Sequence, residues 1–171
     1  MARYIAFLRA INVGRHTVKM DRLRALFESL GFANVETFIA SGNVIFENPA
    51  ALETKIAARL EKELGYPVDT FLRTAQETAE IGKRSPFKPK KKEDAVYVAF
   101  LHEALDAART SALMAVKNKA NDFASIDREI YWLRLDRDDS IFLKNSLEKI
   151  LKVSTTLRSL TTIRKITEKY G

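Results

Sequence analysis

An internal repeat constrains the fold of this chain more than any other feature of its sequence. Three segments of the first half recur in the same order in the second half. The matched pairs are YIAFLR at 4–9 with YVAFLH at 97–102, LEKEL at 60–64 with LEKIL at 147–151, and VDTFLRT at 68–74 with VSTTLRS at 153–159. The offset falls from 93 to 85 residues, so the second copy has shorter loops. The chain is therefore predicted to contain two copies of one folding unit.

The first copy predicts the element order βαββαβ followed by one more helix. The run at 4–11 is apolar enough for a strand buried on both faces, and apolar residues at helical spacing then lead to Gly31, a typical helix terminator. The β-rich runs VETFIA and VIFE flank Ser41, Gly42 and Asn43, which predicts a hairpin. The remaining predicted elements are a helix at 52–64, a strand at 68–73 and a helix at 75–82.

The second copy repeats this order. Its predicted strands lie near 95–101, 122–126, 129–135 and 153–158, and its predicted helices near 103–114, 141–151 and 160–169. In the ferredoxin-like split βαβ arrangement, helices cover one face of an antiparallel sheet. The sequence thus predicts an α+β protein of two tandem ferredoxin-like βαββαβ units with antiparallel sheets, related by internal duplication. The predicted domains are 1–82 and 95–171, joined by a basic, Pro- and Lys-rich linker at 83–94.

The positive charge of the chain lies in its second half. The net charge is +7, and residues 1–82 carry 10 basic and 10 acidic side chains while residues 83–171 carry 19 and 12. Clustered positive charge predicts an anionic partner, because it concentrates phosphates and polyanions; the alternative is a solvated linker and helix face. The candidate nucleic-acid contacts are Lys88, Lys90, Lys91, Lys92, Arg164 and Lys165.

Composition and motifs argue against several classes of site. The chain has no cysteine and two histidines, which disfavours a transition-metal site. Its six glycines are dispersed, and neither GxGxxG nor a P-loop is present. No cofactor is predicted, and the sequence favours a protein without catalytic activity. No apolar run approaches the ~20 residues of a membrane span, and no signal pattern opens the chain, so a cytoplasmic location is predicted.

The densest polar cluster follows the first predicted strand. A helix N-terminus there would offer unpaired N–H groups and a positive dipole end to a phosphate or carboxylate. The alternative is that Thr17 caps the helix while the basic groups are solvated. The candidate residues of this cluster are Arg9, Asn12, Gly14, Arg15 and Lys19.

Two further pairs of residues invite a functional interpretation. Arg73 and Arg158 are equivalent in the repeat, and either they clamp an anion between the copies or each bonds to local partners. Tyr131 and Trp132 are adjacent in a strand and must point to opposite faces. One can enter the helix-covered core, and the other either stacks on a base or packs against the other copy.

Three segments in combination resemble the bacterial domain of unknown function 1697 family over nearly the full length. They are GRHTVKM at 14–20, IASGNVIF at 39–46 and TLRSLTTIRKI at 156–166. The resemblance implies a duplicated ferredoxin-like fold and supplies no function, because the family is uncharacterised.

The resemblance also marks positions for a site. The family's loop matches Arg9, Asn12, Val13 and Gly14, with Arg15 where a second glycine is usual, and its hairpin matches Ser41, Gly42 and Asn43. Its C-terminal run is kept at Thr156, Arg158 and Thr162, while Ser159, Leu160 and Thr161 replace two asparagines and a tryptophan. Ser41, Asn43, Thr156 and Thr162 therefore join the candidate ligand-binding residues.

Three functions remain open from the sequence. The first is a non-catalytic module that binds nucleic acid or a nucleotide through the basic second half. The second is an enzyme acting on a small phosphorylated or carboxylated substrate, and the third is a scaffold for another protein. The sequence predicts no membrane partner, and it is compatible with a monomer.

Overall fold

The computed structural model describes residues 1–11, 16–39, 42–88, 95–135 and 146–171. The chain divides into two compact units. Unit 1 comprises Met1–Glu80 and Arg164–Gly171, and unit 2 comprises Ile81–Ile163. The division falls inside two helices, whereas the boundaries predicted at 82 and 95 follow the sequence repeat. Part of the predicted linker, 89–94, lies outside the described residues.

The first repeat contains four strands and three helices among its described residues. They are β1 (Ala2–Leu8), α1 (Met20–Ser29), β2 (Ala33–Thr37), β3 (Asn43–Asn48), α2 (Glu53–Leu64), β4 (Thr70–Thr74) and α3 (Ala75–Lys83). The second repeat follows the same order. Its elements are β5 (Ala95–Phe100), α4 (Ala107–Ala115), β6 (Asn121–Ile126), β7 (Glu129–Arg134), α5 (Ser146–Leu151), β8 (Thr156–Ser159) and α6 (Leu160–Tyr170).

Each unit has one four-stranded antiparallel sheet, and the two sheets share one topology. The strand orders are β2-β3-β1-β4 and β6-β7-β5-β8. Corresponding residues also share a register, since Ile5 lies opposite Arg73 in the first sheet and Val98 lies opposite Arg158 in the second. The mixed α/β architecture with two similar halves is thus confirmed.

The core of unit 1 lies between its sheet and helices α1 and α2. Ala6, Phe46, Phe27 and Leu60 belong to this core and are fully buried. The alternation of a strand sends neighbouring residues to the other face of the sheet. Those neighbours are equally inaccessible: Ile5, Phe7, Ile45 and Phe71 are each no more than 1% exposed. Both faces of this sheet are therefore buried, as the apolar run in β1 predicts.

The core of unit 2 is organised around the single tryptophan of the chain. Trp132 packs with Phe123 and Leu147 on the helix-covered face, and its Nε1 donates to Oδ1 of Asn121 at 2.8 Å. Asn121 is completely buried, and its Nδ2 donates to Oδ1 of Asn118 at 3.2 Å. A polar group inside the core thus satisfies the indole N–H.

Replacing Asn121 by alanine is expected to lower the free energy of unfolding by about 1–3 kcal/mol, because the Trp132 N–H would remain buried without its acceptor. Urea denaturation followed by tryptophan fluorescence measures the loss. Asn48→Ala is the control, since the Asn48 carboxamide accepts the Ala50 N–H at an exposed position (3.0 Å). Equal stability of the Asn121 and Asn48 variants would contradict this role of Asn121.

Some element ends differ from the predicted ones, for local reasons. Helix α4 begins at Ala107 and not near 103, because the Asp106 side chain caps it by accepting the Arg109 N–H at 2.8 Å. Strand β1 ends at Leu8, since Ala10 has φ 53°. Thr17 does not cap α1: Lys19 occupies the N-cap position and makes no side-chain cap bond. The predicted start of α5 at 141 lies outside the described residues.

Specific contacts explain why each unit includes a helix end from the other repeat. In unit 1, Arg3 Nη1 donates to the Tyr170 carbonyl at 2.8 Å, and the Tyr170 ring meets the Phe38 ring edge-on at 5.7 Å. In unit 2, the Tyr131 hydroxyl donates to the Ile81 carbonyl at 2.7 Å. The end of α6 therefore belongs with the first sheet, and the end of α3 with the second.

Candidate anion-binding site

Three strand ends meet at one end of the unit 1 sheet, where the predicted loop cluster begins. The Leu8 N–H donates to the Gly42 carbonyl and the Arg9 N–H donates to the Asp69 carbonyl, both at 2.9 Å. These bonds join the end of β1 to the β2–β3 hairpin and to the start of β4. Positive φ angles cluster here, at Ala10 (53°), Ile39 (52°) and Gly42 (82°). Backbone conformations of this kind often mark functional sites.

The predicted residues at this end of the sheet have different environments. Arg9 is half-buried and Lys19 is exposed. Asn43 is 1% exposed, and its Nδ2 donates to the carbonyls of Phe38 and Ile39 at 3.1 and 3.3 Å. The Asn43 side chain thus closes the hairpin. The other candidate residues that the sequence predicts here lie outside the described residues: Asn12, Gly14, Arg15 and Ser41.

Two stacked aromatic rings join His16 to the connection between α2 and β4. The His16 ring lies against the Tyr66 ring with 3.8 Å between centroids, and the Tyr66 hydroxyl donates to the Ile11 carbonyl at 3.1 Å. Tyr66 stands in the short connection between α2 and β4. This side chain therefore ties that connection to the loop after β1.

Arg73 and Arg158 are both buried, at 1% and 9% exposure. Arg73 Nη1 donates to the Leu72 carbonyl at 2.9 Å. Arg158 Nη1 donates to Oγ1 of Thr156 and to the Leu157 carbonyl, both at 2.8 Å. Burial lowers the pKa of Arg158 to about 10. The structure thus brings together the predicted residues Thr156 and Arg158.

The third predicted residue of the C-terminal run has a capping environment. Thr162 Oγ1 lies 2.9 Å from Oγ of Ser159, and the Thr162 N–H donates to that same Oγ at 3.1 Å. The corresponding turn of unit 1 has a reciprocal cap, in which the Glu77 N–H donates to Thr74 Oγ1 and the Thr74 N–H donates to Glu77 Oε1. Thr162 therefore helps to begin α6.

The predicted nucleic-acid residues that the structure describes are Lys88, Arg164 and Lys165, and all three are exposed. Lys90, Lys91 and Lys92 lie outside the described part of the chain. Farther along α6, Lys169 Nζ lies 5.3 Å from the ring centroids of Phe38 and Tyr170. The ammonium is thus within cation–π range of both rings.

Unit 2 holds two of its carboxylates in a cluster around one arginine. Arg84 Nη1 lies 2.9 Å from Glu129 Oε1, and its Nη2 lies 2.8 Å from Asp127 Oδ2. Burial opposes the charge of Arg84, but Tyr131 and Glu129 raise its pKa above the usual value. This cluster anchors the residue that follows α3 to the hairpin between β6 and β7.

Most other described carboxylates of unit 2 also have internal partners. The Asp106 side chain accepts from the Arg109 N–H and guanidinium, Asp122 pairs with Lys117, and Glu148 accepts from the Thr155 N–H. The Arg109 N–H is the main cause of a lowered pKa at Asp106. Several exposed lysines of unit 2, in contrast, have no described acidic side chain as a partner. They are Lys83, Lys88, Lys119, Lys149 and Lys152.

The sequence did not predict a cavity in unit 2. It has a volume of about 290 Å³ and lies beside the loop after β5, where His102, Glu103 and Arg109 line it. His102 is the repeat equivalent of Arg9, so comparison of the two copies could have pointed to this loop. Tyr131 and Trp132 do point to opposite faces, but at 0% and 4% exposure neither can stack on a base. This excludes base stacking on either ring.

Two classes of feature are not found in the described ranges. No group of three or more His, Asp or Glu side chains is placed to hold a metal ion there. No helix in those ranges is both long and apolar enough to cross a membrane.

Comparison with known proteins establishes the fold and the family. A solved structure described as that of conserved bacterial protein SP0830 from Streptococcus pneumoniae matches with a TM-score of 0.74 and 23% sequence identity, covering 99% of this chain and 98% of that one. This likeness shows a shared fold. A family model described as Protein of unknown function (DUF1697) matches residues 1–131, and the chain belongs to that family, which confirms the resemblance. No curated protein matches the sequence.

Proposed function

We propose that this protein is a non-catalytic binding module for a phosphate-bearing anion, either nucleic acid or a nucleotide, which it contacts through the basic side chains of its second half. The observation that carries the proposal is the unequal pairing of charges among the described residues of unit 2. Carboxylates such as Glu129 and Glu148 are used in internal contacts, while lysines such as Lys88 and Lys149 are left in solvent.

This unequal pairing supports an anionic ligand by a simple electrostatic argument. A carboxylate that is bonded inside the fold does little to neutralise a lysine elsewhere on the surface. The exposed lysines then produce a positive potential that raises the local concentration of polyanions. Two further exposed cations of the second half, Arg164 and Lys165, lie on the end of α6 that belongs to unit 1, where Glu168 is an exposed carboxylate close to them in sequence. Backbone phosphates are natural partners of such dispersed, exposed cations.

The proposed architecture behind this function is a duplicated pair of ferredoxin-like units. The two sheets share one strand order, in which β1 and β5 occupy the same interior position. Each pairs with the last strand of its repeat in the same register, with Ile5 opposite Arg73 and Val98 opposite Arg158. This likeness supports a common origin. Duplication would leave one copy free to change its surface. The balanced charge of residues 1–82 against the excess in residues 83–171 is consistent with such a division of roles.

Paired lysine variants test the proposal. Lys88→Gln/Lys149→Gln removes two exposed charges from unit 2, and Lys55→Gln/Lys62→Gln removes two exposed charges from unit 1. Lys62 and Lys149 are equivalent in the repeat, so the control is matched in position. Fluorescence anisotropy with a labelled 12-nucleotide RNA, at several salt concentrations, measures the affinity.

The unit 2 variant is expected to bind more weakly and to reduce the slope of log K against log salt by about 1.4, which corresponds to two lost phosphate contacts on a single strand. The unit 1 variant should retain the slope of the unmodified protein. Identical slopes for the two variants would refute the assignment to the second half. Displacement of the RNA by ATP would distinguish a nucleotide site from a polynucleotide surface.

A further inference from the structure

The cavity of unit 2 has a defined position in the repeat. It lies between the loop after β5 and the connection from α5 to β8, and its volume is about 290 Å³. Leu101, Leu105 and Val153 supply apolar lining, while the polar lining comes from His102, Glu103, Arg109 and Ser154. A volume of this size is at the small end of ligand pockets.

The cavity borders a deletion in the second copy. In unit 1, α2 ends at Gly65, with φ 83° and its N–H donating to the Glu61 carbonyl at 2.9 Å. In unit 2, Lys152 has φ 55° and donates to the Glu148 carbonyl at 2.8 Å, so it is the counterpart of Gly65. The next residues in unit 1 are Tyr66 and Pro67, and the second copy lacks both. It therefore has no aromatic side chain to tie down the loop after β5.

Arg109 is held in a fixed orientation at this cavity. Its Nε donates to the Leu151 carbonyl at 2.8 Å and its Nη1 donates to Asp106 Oδ2 at 2.7 Å. No described residue accepts a hydrogen bond from Nη2. A guanidinium that is already immobilised loses little conformational entropy when it binds a carboxylate. Arg109 is therefore suited to bind a ligand carboxylate through Nη2.

Glu103 adds the opposite charge to the same lining. It is exposed, and no described basic side chain pairs with it. A simple anion would be attracted only weakly by Arg109, whose charge is already paired with Asp106, and it would be repelled by Glu103. A ligand with an ammonium next to its carboxylate would satisfy both, and the apolar lining would accept a small hydrocarbon side chain.

We propose that the unit 2 cavity binds a free α-amino acid with a small apolar side chain, with its carboxylate on Arg109 and its ammonium on Glu103. This site does not use the exposed lysines that carry the proposed function. Its ligand differs in kind from a polyanion, and its test does not require nucleic-acid binding.

Three isosteric probes test the chemistry by isothermal titration calorimetry: L-leucine, 4-methylpentanoate, which lacks the ammonium, and 3-methylbutylamine, which lacks the carboxylate. Leucine is expected to bind at least about tenfold more tightly than either analogue, since each analogue loses one charged hydrogen bond. Glu103→Gln should weaken leucine to about the affinity of 4-methylpentanoate. Equal binding of leucine and 4-methylpentanoate to the unmodified protein, or no leucine binding, would overturn the proposal.

A steric variant separates occupancy of the cavity from other effects. Ala104 lines the cavity and is exposed, so Ala104→Phe should fill it without removing the bonds of Arg109. Ala115→Phe, at an exposed position at the end of α4, is the matched control. Leucine binding should be lost only in the first variant, while both variants retain the RNA affinity of the unmodified protein. Retention of leucine binding by folded Ala104→Phe would overturn the site.

Discussion

Replacing Glu129 by alanine is expected to lower the free energy of unfolding by about 3 kcal/mol, because it removes the inner carboxylate of the Arg84 cluster. The Glu129 side chain is 4% exposed and the Arg84 side chain 24% exposed, so water replaces the lost partner poorly. Chemical denaturation measures the change.

Asp127 provides the control on the same arginine. Its side chain is 74% exposed, although its Oδ2 lies 2.8 Å from Arg84 Nη2. Asp127→Asn keeps a residue that tolerates the φ of 52° at this position and should cost less than about 1 kcal/mol. The isosteric Glu129→Gln should cost clearly more than Asp127→Asn. Equal losses would show that burial of Glu129 does not determine the strength of this contact.

Replacing Gly42 by alanine is expected to cost about 3 kcal/mol, through two additive effects. Gly42 has φ +82°, a conformation that costs an L-residue about 1–2 kcal/mol. A Cβ there would also lie 3.0 Å from Ile11 Cγ2 and 3.3 Å from the Leu8 carbonyl oxygen. Crowding of this kind adds about 1–3 kcal/mol, because the end of β1 and the hairpin would have to separate.

Gly31→Ala isolates the crowding from the conformational cost. Gly31 has φ +86°, and a Cβ there would meet nothing within 4 Å. Only the cost of the backbone conformation applies, so a loss of about 1 kcal/mol is expected. Thermal or urea denaturation of both variants gives the difference. If Gly31→Ala were as destabilising as Gly42→Ala, the close approach of the hairpin to β1 would not matter for stability.

The order of elements could be predicted because it rests on periodicity and on the repeat. The ends of elements depend on single hydrogen bonds that periodicity does not encode. Thr17 looked like the cap of α1, yet the helix begins after Lys19. The sequence pattern also did not predict which sheet each helix end joins. The apolar spacing of α6 shows that one side is buried, but it does not specify that Tyr170 meets Phe38.

The candidate site was only partly predictable for similar reasons. Arg73 and Arg158 were recognised as equivalent, and the shared register explains why, since each lies opposite the second residue of the matching YIAF and YVAF segments. The cavity in unit 2 was overlooked because it borders a place where two residues are missing, the counterparts of Tyr66 and Pro67 in the first copy. An absent side chain leaves no motif, so only an alignment of the two copies reveals it.

Above all, we propose that the exposed cations of the second half bind a phosphate-bearing anion. The most direct measurement is the binding of the unmodified full chain to single-stranded RNA between 50 and 200 mM salt, concentrations over which counterion release is readily detected. The account predicts saturable binding whose log K falls linearly with log salt, by about 0.7 per phosphate contact. No binding at the lowest salt concentration, or an affinity that does not change with salt, would contradict it.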